Sequence, residues 1–143
     1  MVATGEIRKR VLRAIAEARQ AAARRRVDAE AAERDGTAVL AEVIAPVFKT
    51  VAATLKAEGF GFRVLTPSRA VRLASDVSSE DFLEVALDTI REPPALVGRI
   101  SHTWGRRVLV DELVVREGAA IQTLTQDDTL AFVLGQLAPF VAR

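Results

Sequence analysis

The residues best suited to chemistry cluster in one short run, Ser101-His102-Thr103-Trp104-Gly105-Arg106-Arg107. It holds the only histidine and the only tryptophan of the chain. A catalytic imidazole needs a partner that fixes its tautomer and position, and Ser101, Asp111 and Glu112 are the nearby groups able to do so. Arg106 and Arg107, following Trp104-Gly105, could present guanidinium groups to a phosphate or carboxylate at a hairpin tip. His102, Trp104 and Arg106 are therefore the candidate pocket. The plainer alternative is a hydrogen-bonded histidine at the rim of a core, followed by a solvated turn.

Other chemistry has little support. The absence of cysteine removes disulfides, thiolate metal sites and cysteine nucleophiles together. With one histidine, a metal would need mostly carboxylate ligands, and no spaced Asp/Asn/Gly calcium loop occurs. Asp127 and Asp128 fit the first turn of a helix, and Asp111 and Glu112 fall on opposite faces of a strand. Gly59-Phe60-Gly61-Phe62 is too short and apolar for a phosphate loop and lacks the following Lys-Ser/Thr. No catalytic residue, metal ligand or cofactor is assigned.

Charge is the second feature. The formal net charge is +1, yet from Glu6 to Arg26 eight cations (Arg8, Lys9, Arg10, Arg13, Arg19, Arg24, Arg25 and Arg26) face only Glu6 and Glu17, eight less two giving a local +6. Asp28, Glu30, Glu33 and Asp35 then turn the chain acidic. Arg8, Arg10, Arg13, Arg24, Arg25 and Arg26 are candidate contacts to nucleic acid or another anionic surface. A solvated helix with paired charge blocks explains the same pattern. The seven aromatic residues mostly occupy expected core positions, leaving no base-stacking platform.

These groups must be positioned by elements that the pattern outlines. Residues 6–34 lack proline and glycine and are rich in Ala, Arg and Glu, which predicts a helix. Ile7, Val11, Ala14, Ala18, Ala21 and Ala22 form a narrow apolar stripe that stops at Arg25 and Asp28. Asp35-Gly36-Thr37 reads as a break, with Gly36 closing one helix and Thr37 capping a second that runs to Glu58. Leu40, Val43, Ile44, Val47, Phe48, Val51 and Leu55 give that second helix a much richer stripe. Pro46 predicts a kink, or a helix starting there. A helical hairpin is the expectation; one uninterrupted helix through Gly36 is the rival, and would favour an extended dimeric coiled coil.

From Phe60 to Val115, apolar runs at 60–65, 70–75, 82–90, 96–103 and 107–115 alternate with turn-like TPSR, DVSSED, REPP and WG segments. This predicts an antiparallel meander. Alternation puts Phe60, Phe62, Val64, Val71, Leu73, Leu83, Val85, Leu87, Ile100, Val108, Val110 and Val114 on the core side. Arg63, Arg72, Glu84, Asp88, Arg99, Arg107 and Asp111 go outside, where their signs alternate from strand to strand. Residues 79–91 also fit a helix with a Ser78–Asp81 capping box, but the charge ladder favours a strand. AAIQTL at 119–124 suggests a short extended piece. Thr125 then caps a last helix whose stripe is Leu130, Val133, Leu134 and Leu137, closed by Pro139.

The expected class is α+β in a single domain, 1–143: a helical hairpin (6–58), an antiparallel sheet of four to five strands (60–123) and a C-terminal helix (126–138), the helices on one face. The N-terminus shows no signal-peptide core, and AVLAEVIAPVF at 38–48, broken by Glu42, is too short to span a bilayer. A cytoplasmic protein without membrane contact is expected. The leading functional expectation is a non-enzymatic interaction or assembly module, a homodimer or larger oligomer, with a protein partner also conceivable. Its self-association surface would comprise Ile7, Val11, Ala14, Ala18, Ala22, Leu40, Ile44, Val47 and Val51. The alternative is a nucleic-acid-associated protein using the basic helix. A small-ligand binder with a pocket between sheet and helices comes third.

Overall fold

The structure, a computed structural model, describes residues 1–142; Arg143, the last residue of the expected domain, lies outside them. It is an α+β fold with a five-stranded antiparallel open sheet in the order β1-β2-β3-β4-β5, formed by Phe62–Leu65, Ala70–Ser75, Phe82–Asp88, Ala95–Trp104 and Arg107–Glu117. Each strand pairs with the next in sequence, so the sheet is a meander without crossovers. Residues 82–88 form a strand, as the charge ladder indicated.

The expected helical hairpin does not form. Helix α1 (Thr4–Val39) passes straight through Gly36 into a π-helical turn (Leu40–Ile44) and then α2 (Ala45–Ala57), with every junction residue in the right-handed helical region. Gly36 is there for packing rather than for a turn. A Cβ on it would lie 2.7 Å from a methyl of Leu87, so glycine lets the helix cross β3 this closely without displacing that side chain. Pro46 explains the π turn. Its ring would collide with the carbonyl four residues back, and the wider turn just before it moves that carbonyl aside.

The core lies between this helix and one face of the sheet. Val39, Leu40, Ile44, Phe48 and Leu55 meet Val71, Leu73, Leu83, Val85 and Leu87. Helices α3 (Gln126–Gln136) and α4 (Ala138–Val141) cover the rest of the same face. Gly98 in β4 does for α3 what Gly36 does for α1: a Cβ there would sit 2.6 Å from the Phe132 ring. Residues 118–123 form a 3₁₀ helix instead of the expected extended piece, and thereby fully bury Ile121.

The start of α3 follows its sequence signals. The Thr125 hydroxyl accepts from the Asp128 amide at 3.1 Å, while Asp128 accepts from the Thr125 amide at 3.0 Å. That amide first, then the Thr125 hydroxyl and the Arg116 guanidinium, hold the Asp128 carboxyl below the usual carboxylate range. The Arg116–Asp128 ion pair, at 3.0 Å, ties β5 to α3.

The outer face carries the expected ladder with one change. Arg72 pairs with Glu84, Glu84 lies opposite Arg99, and Arg99 lies opposite Glu112, not Asp111. The parity of β5 is thus the reverse of the sequence reading. Arg107, Leu109, Asp111 and Leu113 share the core side with His102, Ile100 and Gly98, while Val108, Val110 and Val114 face outward. A bulge between the Leu96 and Val97 pairings shifts the register near Val115.

Candidate functional site

The most conspicuous feature for function is what the sheet leaves uncovered. Residues 4–20 of α1 are exposed all round, an overhang of about 25 Å at 1.5 Å per residue. Ala21 and Ala22 are half-buried, and from Ala32 the helix packs firmly on the body. On the overhang Ile7 and Val11 are 51% and 52% exposed, and Leu12 and Ile15 are similarly open. Large aliphatic side chains clustered on a bare helix mark a contact surface or an aggregation liability.

The stripe has a phase. Ile7, Val11, Ala14, Ala18 and Ala21 alternate spacings of four and three, the seam of two helices that wind about each other. Continued through Arg25 and Asp28, the same spacing reaches buried Ala32 and Val39. The overhang therefore presents its apolar face in the direction in which the body lies further along.

Of the residues expected to self-associate, Ile7, Val11, Ala14 and Ala18 are exposed on the overhang and Ala22 stands at its base. Leu40 and Ile44 are not available, because they are buried against the chain's own sheet. Val47 and Val51 are half-buried beside a groove of about 320 Å³ shared with Pro46, Thr50, Asp127 and Leu130. The sequence could not separate these two groups while the helix was read as two pieces.

The basic residues lie on the same overhang and at its base. Arg10 is held by Glu6 at 3.1 Å, but Arg8, Arg13, Arg24, Arg25 and Arg26 are exposed and have no carboxylate partner among the described residues. At 100° per residue they spread around the helix rather than forming one face. Arg25 and Arg26 line a groove of about 580 Å³ against the Thr89–Pro94 loop, together with Arg91, Asp28 and Glu92.

The candidate pocket at the hairpin end is not assembled as a site. His102 packs edge-on against Phe140 at 6.3 Å between ring centroids, a place at the rim of the core. Its Nδ1 has no hydrogen-bond partner among the described residues. The side chains that could have oriented it are engaged elsewhere: the Ser101 hydroxyl donates to the Glu80 carbonyl at 2.6 Å, Asp111 accepts from the Glu112 amide, and Glu112 faces Arg91 and Arg99. Trp104 is 72% exposed at the hairpin tip, where Gly105 takes the positive φ that the turn requires. Among the described residues no group of three or more His, Asp or Glu gathers to hold a metal.

One stretch of the helix Thr4–Ala57 is, by length and composition, apolar enough to cross a membrane, with a mean hydropathy of 1.7 over its best 18 residues. Glu42 does not interrupt it as the sequence reading had it. A core role accounts for the hydropathy from Leu40 to Leu55, since those large side chains pack on the sheet.

Comparison with protein-family models, with curated proteins and with solved structures finds no match. The fold and its surfaces are therefore the whole basis for a functional reading.

Proposed function

We propose that the chain is a non-enzymatic assembly module that forms a homodimer through the overhanging part of α1. The observation that carries this reading is the four-three stripe Ile7, Val11, Ala14, Ala18 and Ala21, bare as far as Ala18 and in phase with the buried Ala32 and Val39 further along. A second copy of the same helix fits the stripe chemically. Alanine at three of the five positions allows close approach, while Ile7 and Val11 supply most of the apolar area. The arginines around the stripe keep the overhang soluble until it is covered. In an antiparallel arrangement centred on Ala14, Glu17 of the other copy would lie level with Arg10 and Arg13, on the same flank of the stripe.

The test is mass in solution. Sedimentation or light scattering of the whole chain should give at least a dimer, and Val11→Asp with Ala18→Asp should lower the mass without altering the far-UV circular dichroism of the body. Equal masses for the two proteins would overturn the reading. The alternative, nucleic-acid contact through the same helix, draws support from the arginines that lack carboxylate partners. It requires binding that weakens steeply with salt and disappears when Arg8, Arg10, Arg13 and Arg24 to Arg26 are neutralised. A cytoplasmic location remains part of the proposal, as does the absence of a cofactor.

A further inference from the structure

The sheet has two edges that differ in kind. β1 is four residues long, whereas β5 runs for 11 residues with β4 as its one neighbour. The amides that face the free side of β5 follow from the registers. Ser75 donates its amide hydrogen to the Asp81 carbonyl and Leu87 to the Arg69 carbonyl, so the odd-numbered residues of β3 point to β2. Alternation carried through the next two registers leaves Val108, Val110 and Glu112 with their amides on the open side. In agreement, the Glu112 amide donates to the Asp111 side chain at 3.0 Å.

Soluble proteins usually blunt such an edge with lysine, proline or a bulge; the open half of β5, Arg107 to Glu112, has neither lysine nor proline, its register shift lies beyond it, and its charges, Arg107, Asp111 and Glu112, are of mixed sign. Instead Val108, Leu109 and Val110 are 40%, 42% and 62% exposed. We propose that β5 pairs antiparallel with β5 of a second copy about a two-fold axis through Leu109, joining two sheets into one. The sequence of the strand is self-complementary in this register. Leu109 faces Leu109, Val108 faces Val110, and Arg107 faces Asp111. Among the described residues Arg107 and Asp111 have no ion-pair partner, and the two-fold gives each one. The register centred on Glu112 would set two Glu112 carboxylates directly opposite each other, which opposes pairing. Charge therefore selects both the occupant, another copy of this chain, and the axis. On pairing, Asp111 exchanges the Glu112 amide for the guanidinium of the facing Arg107.

This surface is separate from the overhang, and a chain with two self-complementary surfaces assembles beyond a dimer. The experiment starts from Val11→Asp with Ala18→Asp, which removes the helix interface and isolates the sheet edge. At about 100 µM this protein should sediment as a dimer, and its single tryptophan, Trp104, should shift its emission as dilution separates the copies. Adding Val110→Pro should yield a monomer. Proline is tolerated there because the lost amide faces away from β4, so the fold is kept; Val110→Lys provides the same test without touching the backbone. Asp111→Arg should weaken dimerisation by at least about tenfold, and Arg107→Asp in the same chain should restore it. A monomeric starting protein, a mass unmoved by both Val110 variants, or a double charge swap that fails to restore the dimer would each overturn the proposal. Failure of the helix interface reads out differently, as identical masses for the wild-type chain and the starting variant.

Discussion

The two halves of the helix Thr4–Ala57 belong to one continuous rod, joined through the π turn, yet one half is bare and the other is buried. The difference lies in side-chain size and in what stands opposite. Leu40, Ile44, Phe48 and Leu55 bring large side chains to a sheet face of Val71, Leu73, Leu83 and Val85. The overhang offers mainly alanine, and the sheet does not extend beneath it. Apolar burial is worth roughly 25 cal/mol per Å², so within this helix the second half contributes far more to stability than the first. Helical phase determines which side faces inward; only area and a partner determine whether that side is covered.

The sharpest break in this contrast is Phe48→Ala in the buried half. Phe48 is fully buried, and its loss should cost about 3–5 kcal/mol, measured as a reduced midpoint in urea. Gly36→Val comes next. It forces Leu87 away from the helix and should cost about 1–3 kcal/mol, with Leu87→Ala in the same chain recovering part of the loss. Were Gly36 a helix terminator, Leu87→Ala would recover nothing. The smallest effect belongs to the overhang. In dilute, dissociated protein, Val11→Asp should change unfolding free energy by no more than about 0.5 kcal/mol, since Val11 is 52% exposed on the overhang. A large loss there would mean that the overhang folds back on its own chain.

Much of this architecture could be read from the chain, and the failures have physical causes. The alternating signs of Arg72, Glu84 and Arg99 correctly identified 82–88 as a strand, because opposite charges facing across neighbouring strands belong to a sheet and not to a helix. The Thr125 cap was legible from local chemistry alone. Gly36 misled, since a glycine that permits close packing is indistinguishable in sequence from one that ends a helix; only Leu87, 51 residues away, tells them apart. β5 was misread because Val108, Leu109 and Val110, then Leu113, Val114 and Val115, are apolar at both parities, and alternation carries no information there. The ladder itself held the correction: Arg99 needed a carboxylate opposite, and choosing Glu112 over Asp111 would have turned the strand the right way from Arg107 as far as the bulge at Val115.

The π turn at Leu40–Ile44 lets one rod pass a proline without bending into separate parts. At 1.5 Å per residue the rod is about 80 Å long, and its far end is rigidly geared to the sheet. One extra residue inserted at the base of the overhang would rotate the apolar stripe by about 100° while leaving both ends chemically unchanged. The helix thus sets an angle as well as a distance, and in any assembly held by both ends that angle determines whether successive copies close into a ring or continue as a thread.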